Sequence, residues 1–98
     1  MRSRYSAYAL GLTTYIVNTT YPDGPRYNPD KAAWKRDIEE FSQTTRFERL
    51  QILGAQGDMV TFRATLFTGQ RDDSYTEVSV FRQHNGVWKY YSGTRLEH

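Results

Sequence analysis

The sequence predicts an α+β domain in which N-terminal helices pack on a curved antiparallel sheet of about four strands. Before Thr45, apolar residues recur at spacings of three and four, which is the period of an α-helix. After Thr45 the period changes to two, as in a strand that buries one face. Asn85-Gly86 then supplies the residue pair most typical of a two-residue hairpin turn. Helices followed by an antiparallel meander indicate the α+β class.

The helical part is predicted as two short helices, or one kinked helix, followed by an amphipathic helix. Gly11 interrupts the first stripe, and Thr13 or Thr14 could cap a fresh start. Asn28-Pro29 predicts an N-cap with proline at the first helical position. The apolar stripe of this last helix consists of Trp34, Ile38 and Phe41.

The sheet is predicted as a meander whose strands lie near residues 50–52, 60–66, 74–83 and 87–92. A two-residue turn at Asn85-Gly86 would place Phe81 opposite Tyr90 and Ser79 opposite Ser92. Glu77 would share their face, under the first helix together with Trp88. Val78, Val80 and Tyr91 would lie on the other face, which no predicted element covers. We therefore expect a partner surface there, in the simplest case that of a homodimer.

Composition restricts the classes of function. The 98 residues make one domain over 1–95, and Leu96-Glu97-His98 is interpreted as an expression-tag remnant. The chain has no cysteine and two histidines, so we expect no metal site and no cofactor. A net charge of +2 does not indicate nucleic-acid binding. No apolar run approaches the ~20 residues of a membrane span, so a cytoplasmic protein is expected.

Several segments resemble the central domain of YchJ-type bacterial proteins. The opening Met1-Arg2-Ser3-Arg4-Tyr5-Ser6-Ala7-Tyr8 is the most specific match. Further matches are Tyr15 with Thr20-Tyr21-Pro22, Val60-Thr61-Phe62-Arg63-Ala64, Glu77-Val78-Ser79-Val80-Phe81, and Gly86-Val87-Trp88-Lys89-Tyr90 with Gly93. The resemblance implies a nuclear transport factor 2-like (NTF2-like) fold, a cone of helices and bent sheet around a pocket. It also implies zinc motifs like the SecA C-terminal motif beside this domain. Those motifs are absent here, as in an excised domain or a member without them.

Six polar residues are the candidates for a pocket inside the cone: Arg2, Arg4, Tyr8, Glu77, Ser79 and Tyr90. Arginines and hydroxyls in a pocket would bind a small anionic ligand. The same residues could instead form a structural network in which Arg4 pairs directly with Glu77. His84 is expected to be a solvated neighbour of the hairpin turn.

The predicted function is a non-enzymatic domain that binds a small ligand or a protein, and it could hold a neighbouring zinc module against another protein. The alternative is a small hydrolase- or isomerase-like enzyme that uses the cone interior. Glu77 is then the acidic candidate for acid–base work, because it is the only carboxylate on the interior face of the last hairpin. No catalytic residue is assigned.

Overall fold

The computed structural model describes residues 1–96 and confirms the α+β class, with three helices on one face of an antiparallel sheet. The helices are α1 (Arg2–Leu10), α2 (Thr13–Asn18) and α3 (Lys31–Thr44). The strands are β1 (Arg46–Gln56), β2 (Met59–Thr68), β3 (Arg71–Asp72), β4 (Tyr75–His84) and β5 (Val87–Leu96). The sheet order is β1-β2-β4-β5, and the two-residue β3, which lies between the predicted strands 60–66 and 74–83, pairs with β2. Glu97 and His98 lie outside the described residues, whereas Leu96 belongs to β5.

The break between the first two helices falls where it was predicted, but two predicted caps were wrong. Gly11 ends α1 with φ 71°, a left-handed conformation that glycine adopts without a steric penalty. Leu12, rather than a threonine, precedes α2 and makes no side-chain cap bond. Asp30 caps α3 by accepting from the Ala33 amide at 3.1 Å, because Asn28 is already bound to the Asp30 amide.

The last hairpin turns at Asn85-Gly86, and both turn residues have positive φ, as a type I′ turn requires. Phe81 faces Tyr90 as predicted. The predicted pairing of Ser79 with Ser92 was wrong, since the register shifts between Val80 and Phe81 and Ser79 faces Gly93. A β-bulge adds one residue to β5 at this point, which the turn alone does not reveal. The strand also runs past residue 92 to Leu96.

The core consists of two small clusters. The first joins the helices and contains Ala7, Ile16, Val17 and Ile38. The second lies on β2 and contains Phe62, Ala64 and Leu66. Aromatic rings pack against both clusters, and Tyr5, Phe47, Phe41 and Tyr8 make a chain of edge-to-face contacts between them.

The face away from the helices is partly covered. Tyr21 packs edge-on against Tyr91, and Gly24 lies under the same ring. The guanidinium of Arg82 stacks on it at 3.7 Å from the ring centre. Val78 and Val80 are half-buried on that face, and the homodimer through it stays a prediction.

The end of the last hairpin extends beyond the helices. Trp88 is 53% exposed, so the expectation that α1 covers it was wrong. His84 is half-buried against the Tyr21 ring rather than fully solvated. β5 is joined to residues 19–21 at Tyr90, and the end of the hairpin lies beyond this junction.

Candidate ligand-binding cavity

A cavity of about 400 Å³ lies between the helices and the inner face of the sheet, where the two core clusters meet. Its wall is largely aromatic and contains Tyr5, Tyr8, Trp34, Phe41, Phe47, Phe62, Tyr75 and Tyr90. Its charged lining side chains are Arg4, Arg26, Asp37, Glu77 and Arg95. An apolar cavity with a few converging polar groups is the usual form of a small-molecule site.

Arg4 is buried at 7% exposure and holds the C-terminal end of α2. Its Nη1 donates to Thr19 Oγ1 at 2.7 Å, Thr20 Oγ1 at 3.2 Å and the Ile16 carbonyl at 3.3 Å. A cation is favoured there because the last carbonyls of a helix carry partial negative charge. Burial lowers the pKa of Arg4, and the neighbouring tyrosines and Glu77 oppose that shift.

Residues 19–21 attach this network to the sheet. The Tyr90 amide donates to the Thr19 carbonyl at 2.8 Å, and the Tyr21 amide donates to the Tyr90 carbonyl at 2.7 Å. The ring of Tyr90 then lies under the Arg4 guanidinium, 4.6 Å from its central carbon. Tyr90 is therefore fixed on the cavity wall through both its backbone and its ring.

Glu77 is the buried carboxylate of the cavity, with 8% of its surface exposed. Ser79 donates to its Oε2 at 2.7 Å, and the Tyr90 hydroxyl approaches the same oxygen at 3.3 Å. The burial of Arg4 was predicted correctly, but its direct pairing with Glu77 was wrong. The ion pairs within residues 1–96 are Arg46–Glu48 and Arg71–Asp73. Arg4 is drawn away because its Nη1 donates to the Ile16 carbonyl of α2 and to the hydroxyls of Thr19 and Thr20, which follow this helix.

Gly93 lets the carboxylate and the edge strand approach closely. A Cβ at position 93 would overlap the carboxyl group of Glu77 and the hydroxyl of Tyr90. On its other side, the Gly93 carbonyl accepts from Arg26 Nη2 at 2.9 Å. One residue without a side chain thus brings Glu77, Tyr90 and Arg26 to the same stretch of β5.

Arg95 lies directly opposite Glu77 in the ladder of β4 and β5. Its guanidinium stacks on the Tyr75 ring, 4.0 Å from the ring centre. Burial and the charge of Glu77 raise the pKa of Tyr75 to about 12. The same causes raise the pKa of Tyr90. Both phenols are therefore neutral near pH 7 and act as hydroxyl groups.

The structure brings four of the six predicted pocket residues to the cavity, namely Arg4, Tyr8, Glu77 and Tyr90. Ser79 is fully buried behind Glu77. Arg2 is exposed on α1 and is not a lining residue. Sequence reasoning missed Arg26, which lies in a loop, and Arg95, which follows the predicted end of the last strand. Arg95 could have been identified as a lining residue only if the last strand had been predicted to continue beyond residue 92.

A second groove of about 320 Å³ lies on the other side of Arg4. It is lined by Ser3, Tyr15, Thr19, Asp58, Val60, Phe81 and Trp88, together with Arg4 itself. Arg4 therefore contributes to both spaces. No group of three or more acidic or histidine side chains suited to a metal ion occurs within residues 1–96. None of the described helices is long and apolar enough to cross a membrane.

Helices packed on a curved sheet around an aromatic cavity define an NTF2-like domain. Residues 1–93 match the family described as YchJ, middle NTF2-like domain, and the chain belongs to this family. It is also similar to the solution structure of RPA3114, a SEC-C motif containing protein from Rhodopseudomonas palustris. The two share 31% sequence identity with a TM-score of 0.78, over 99% of this chain and 76% of that one. The resemblance and the fold class predicted from the sequence are thus confirmed.

Proposed function

We propose that this domain binds a small organic anion in the cavity and does not transform it. The observation that carries this proposal is the combination of an aromatic wall with three arginines and two carboxylates in a space of about 400 Å³. An aromatic or branched hydrocarbon part of the ligand would replace water along the wall. Its anionic group would meet an excess of positive charge.

Arg26 and Arg95 are the arginines best suited to the anion. Both are exposed at the cavity, whereas Arg4 is buried and held by α2. The Arg95 guanidinium lies over the Tyr75 ring and makes no hydrogen bond within residues 1–96, so its N–H groups are available to a ligand. A carboxylate can accept two parallel hydrogen bonds from such an edge.

The enzymatic alternative depends on Glu77, since the phenols of Tyr75 and Tyr90 titrate far above neutral pH. A general acid or base must also reach the reacting atom and have a pKa near the working pH. The two hydroxyls that bind Glu77 within residues 1–96 are those of Ser79, which is fully buried, and Tyr90, whose pKa is raised, so neither is an exposed and activated nucleophile. These contacts favour binding over catalysis.

The test uses 3-phenylpropionate as the probe and two-dimensional NMR of the labelled domain. We expect chemical-shift changes at cavity residues and a weak affinity that falls with added salt. Arg95→Ala should weaken binding at least about 5-fold, which corresponds to about 1 kcal/mol. Arg36→Ala is the matched control, because Arg36 is exposed on α3 away from the cavity. An Arg95→Ala affinity equal to that of the control would contradict the assignment.

The same samples distinguish binding from catalysis. Hydrolysis of p-nitrophenyl acetate is expected to match the buffer rate for both the native chain and Glu77→Gln. Hydrolysis above the buffer rate that disappears in Glu77→Gln would favour the enzyme instead.

A further inference from the structure

Glu77 carries a carboxylate oxygen without a partner, and this oxygen is the starting point for the identity of the ligand. The hydrogen bonds from Ser79 and Tyr90 both end on Oε2. Within the described part of the chain, Oε1 accepts no hydrogen bond, although the residue is more than nine-tenths buried and lines the cavity. Within residues 1–96 the fully buried side-chain atoms without a partner are Tyr5 Oη and Thr45 Oγ1, so Glu77 Oε1 keeps contact with the open space of the cavity and can accept a hydrogen bond from a ligand there.

The three arginines that line the cavity do not supply that partner. Arg4 donates to α2, Arg26 donates to the Gly93 carbonyl, and Arg95 stacks on Tyr75. A buried negative charge without a cation at hydrogen-bond distance is unfavourable, so a positively charged donor entering the cavity would be stabilised. An ammonium group satisfies this condition, and a neutral hydroxyl does so only in part.

The positive and negative sites lie next to each other on β4 and β5. Directly opposed residues such as Glu77 and Arg95 have Cβ atoms about 5 Å apart. Gly93 touches the Glu77 carboxylate on one side and holds Arg26 through its carbonyl on the other. An α-amino acid, with a hydrogen bond at each charged end, needs roughly 8–9 Å between the protein atoms. Long arginine side chains on neighbouring positions can cover that distance.

We propose that the ligand is a zwitterion of the α-amino-acid class with an aromatic or branched hydrocarbon side chain. Its ammonium group binds Glu77 Oε1, its carboxylate binds Arg95 and Arg26, and its side chain lies against the aromatic wall. The inference rests on the proposed function and adds the cationic group, which a simple organic anion lacks. Asp37 also lines the cavity, but it is exposed on α3, where water screens its charge.

The experiment compares three probes that differ only in their charged groups: L-phenylalanine, 3-phenylpropionate and 2-phenylethylamine. Each is titrated to about 10 mM into the labelled domain and followed by NMR. We expect phenylalanine to bind at least about 10-fold more tightly than either of the other two. Phenylpropionate binding as tightly as phenylalanine would overturn the zwitterion and leave the proposed anion site standing. Phenylethylamine binding as tightly would overturn the zwitterion and count against the anion site. Shifts from none of the three would overturn both.

Two variants assign the ammonium site. Glu77→Gln keeps the shape of the side chain and an acceptor for Ser79. It should weaken the binding of phenylalanine about 10-fold and change the affinity for phenylpropionate less than about 2-fold. Asp37→Asn is the matched control and should leave both probes unchanged. Loss of phenylalanine binding in Asp37→Asn but not in Glu77→Gln would overturn the assignment. Circular dichroism and dispersed NMR spectra verify that each variant is folded. Should Glu77→Gln not fold, competition of phenylpropionate against phenylalanine in the native chain decides the same point, since equal affinities overturn the proposal.

Discussion

Arg4 and Glu77 are expected to be coupled less strongly in their effect on stability than a direct buried ion pair would be. The Tyr90 ring lies between the charges, with its centre 4.6 Å from the Arg4 carbon and its hydroxyl 3.3 Å from Glu77 Oε2. At a separation of roughly 8 Å and an effective dielectric constant of about 20, the Coulomb energy is about 2 kcal/mol. A direct buried pair would instead cost about 3–5 kcal/mol on loss of one partner.

The single variants follow from the same contacts. Arg4→Met keeps the hydrocarbon volume but removes the bonds to Thr19, Thr20 and Ile16, and relief of the buried charge offsets part of that loss. We expect a net cost of about 2 kcal/mol for Arg4→Met. Glu77→Gln turns a charge-assisted bond into a neutral one and should cost about 1 kcal/mol.

Urea unfolding of the native chain, both single variants and the double variant gives the coupling energy directly. Circular dichroism is the suitable signal, provided that the slope of the free energy with urea is unchanged. A control cycle of Ser79→Ala with Glu77→Gln should show about 1 kcal/mol, because the Ser79 hydroxyl donates to Oε2 at 2.7 Å and glutamine keeps that bond only in its weaker neutral form. A coupling of 3 kcal/mol or more between Arg4 and Glu77 would refute the separation by Tyr90 and restore the direct pair.

Two further predictions concern β5 and the cavity wall. Gly93→Ala should lower the free energy of unfolding by about 1–3 kcal/mol, because the added methyl group displaces the Glu77 carboxylate. Gly54→Ala, which meets no atom within 4 Å, is the control and should change it by less than about 0.5 kcal/mol in the same urea assay. The raised pKa of Tyr75 means that the folded state favours the neutral phenol, so its contribution to stability is complete below about pH 10 and lost as the pH rises to about 12. Urea titrations across that interval should show a shallower fall for Tyr75→Phe than for the native chain, and an equal fall would contradict the shifted pKa.

The sequence by itself determined the features that depend on a few neighbouring residues. The Asn85-Gly86 turn, the break at Gly11 and the change of period near Thr45 are local, because backbone conformation and side-chain alternation decide them. The class α+β followed from their order. Four of the six candidate pocket residues line the cavity, since facing rules on α1, β4 and β5 select them.

Only the tertiary structure decided how these elements meet. The bulge beside Val80 shifts β5 by one residue, and that shift brings Gly93 opposite Ser79 and Arg95 opposite Glu77. The partners of Arg4 depend on where α2 ends against β5, which no pattern along the chain specifies. Arg26 lies in a loop, and its side chain is held at the cavity by a hydrogen bond to the Gly93 carbonyl. A long side chain can reach several acceptors that lie a few ångströms apart. Its partner is therefore determined by packing between distant segments rather than by the local sequence.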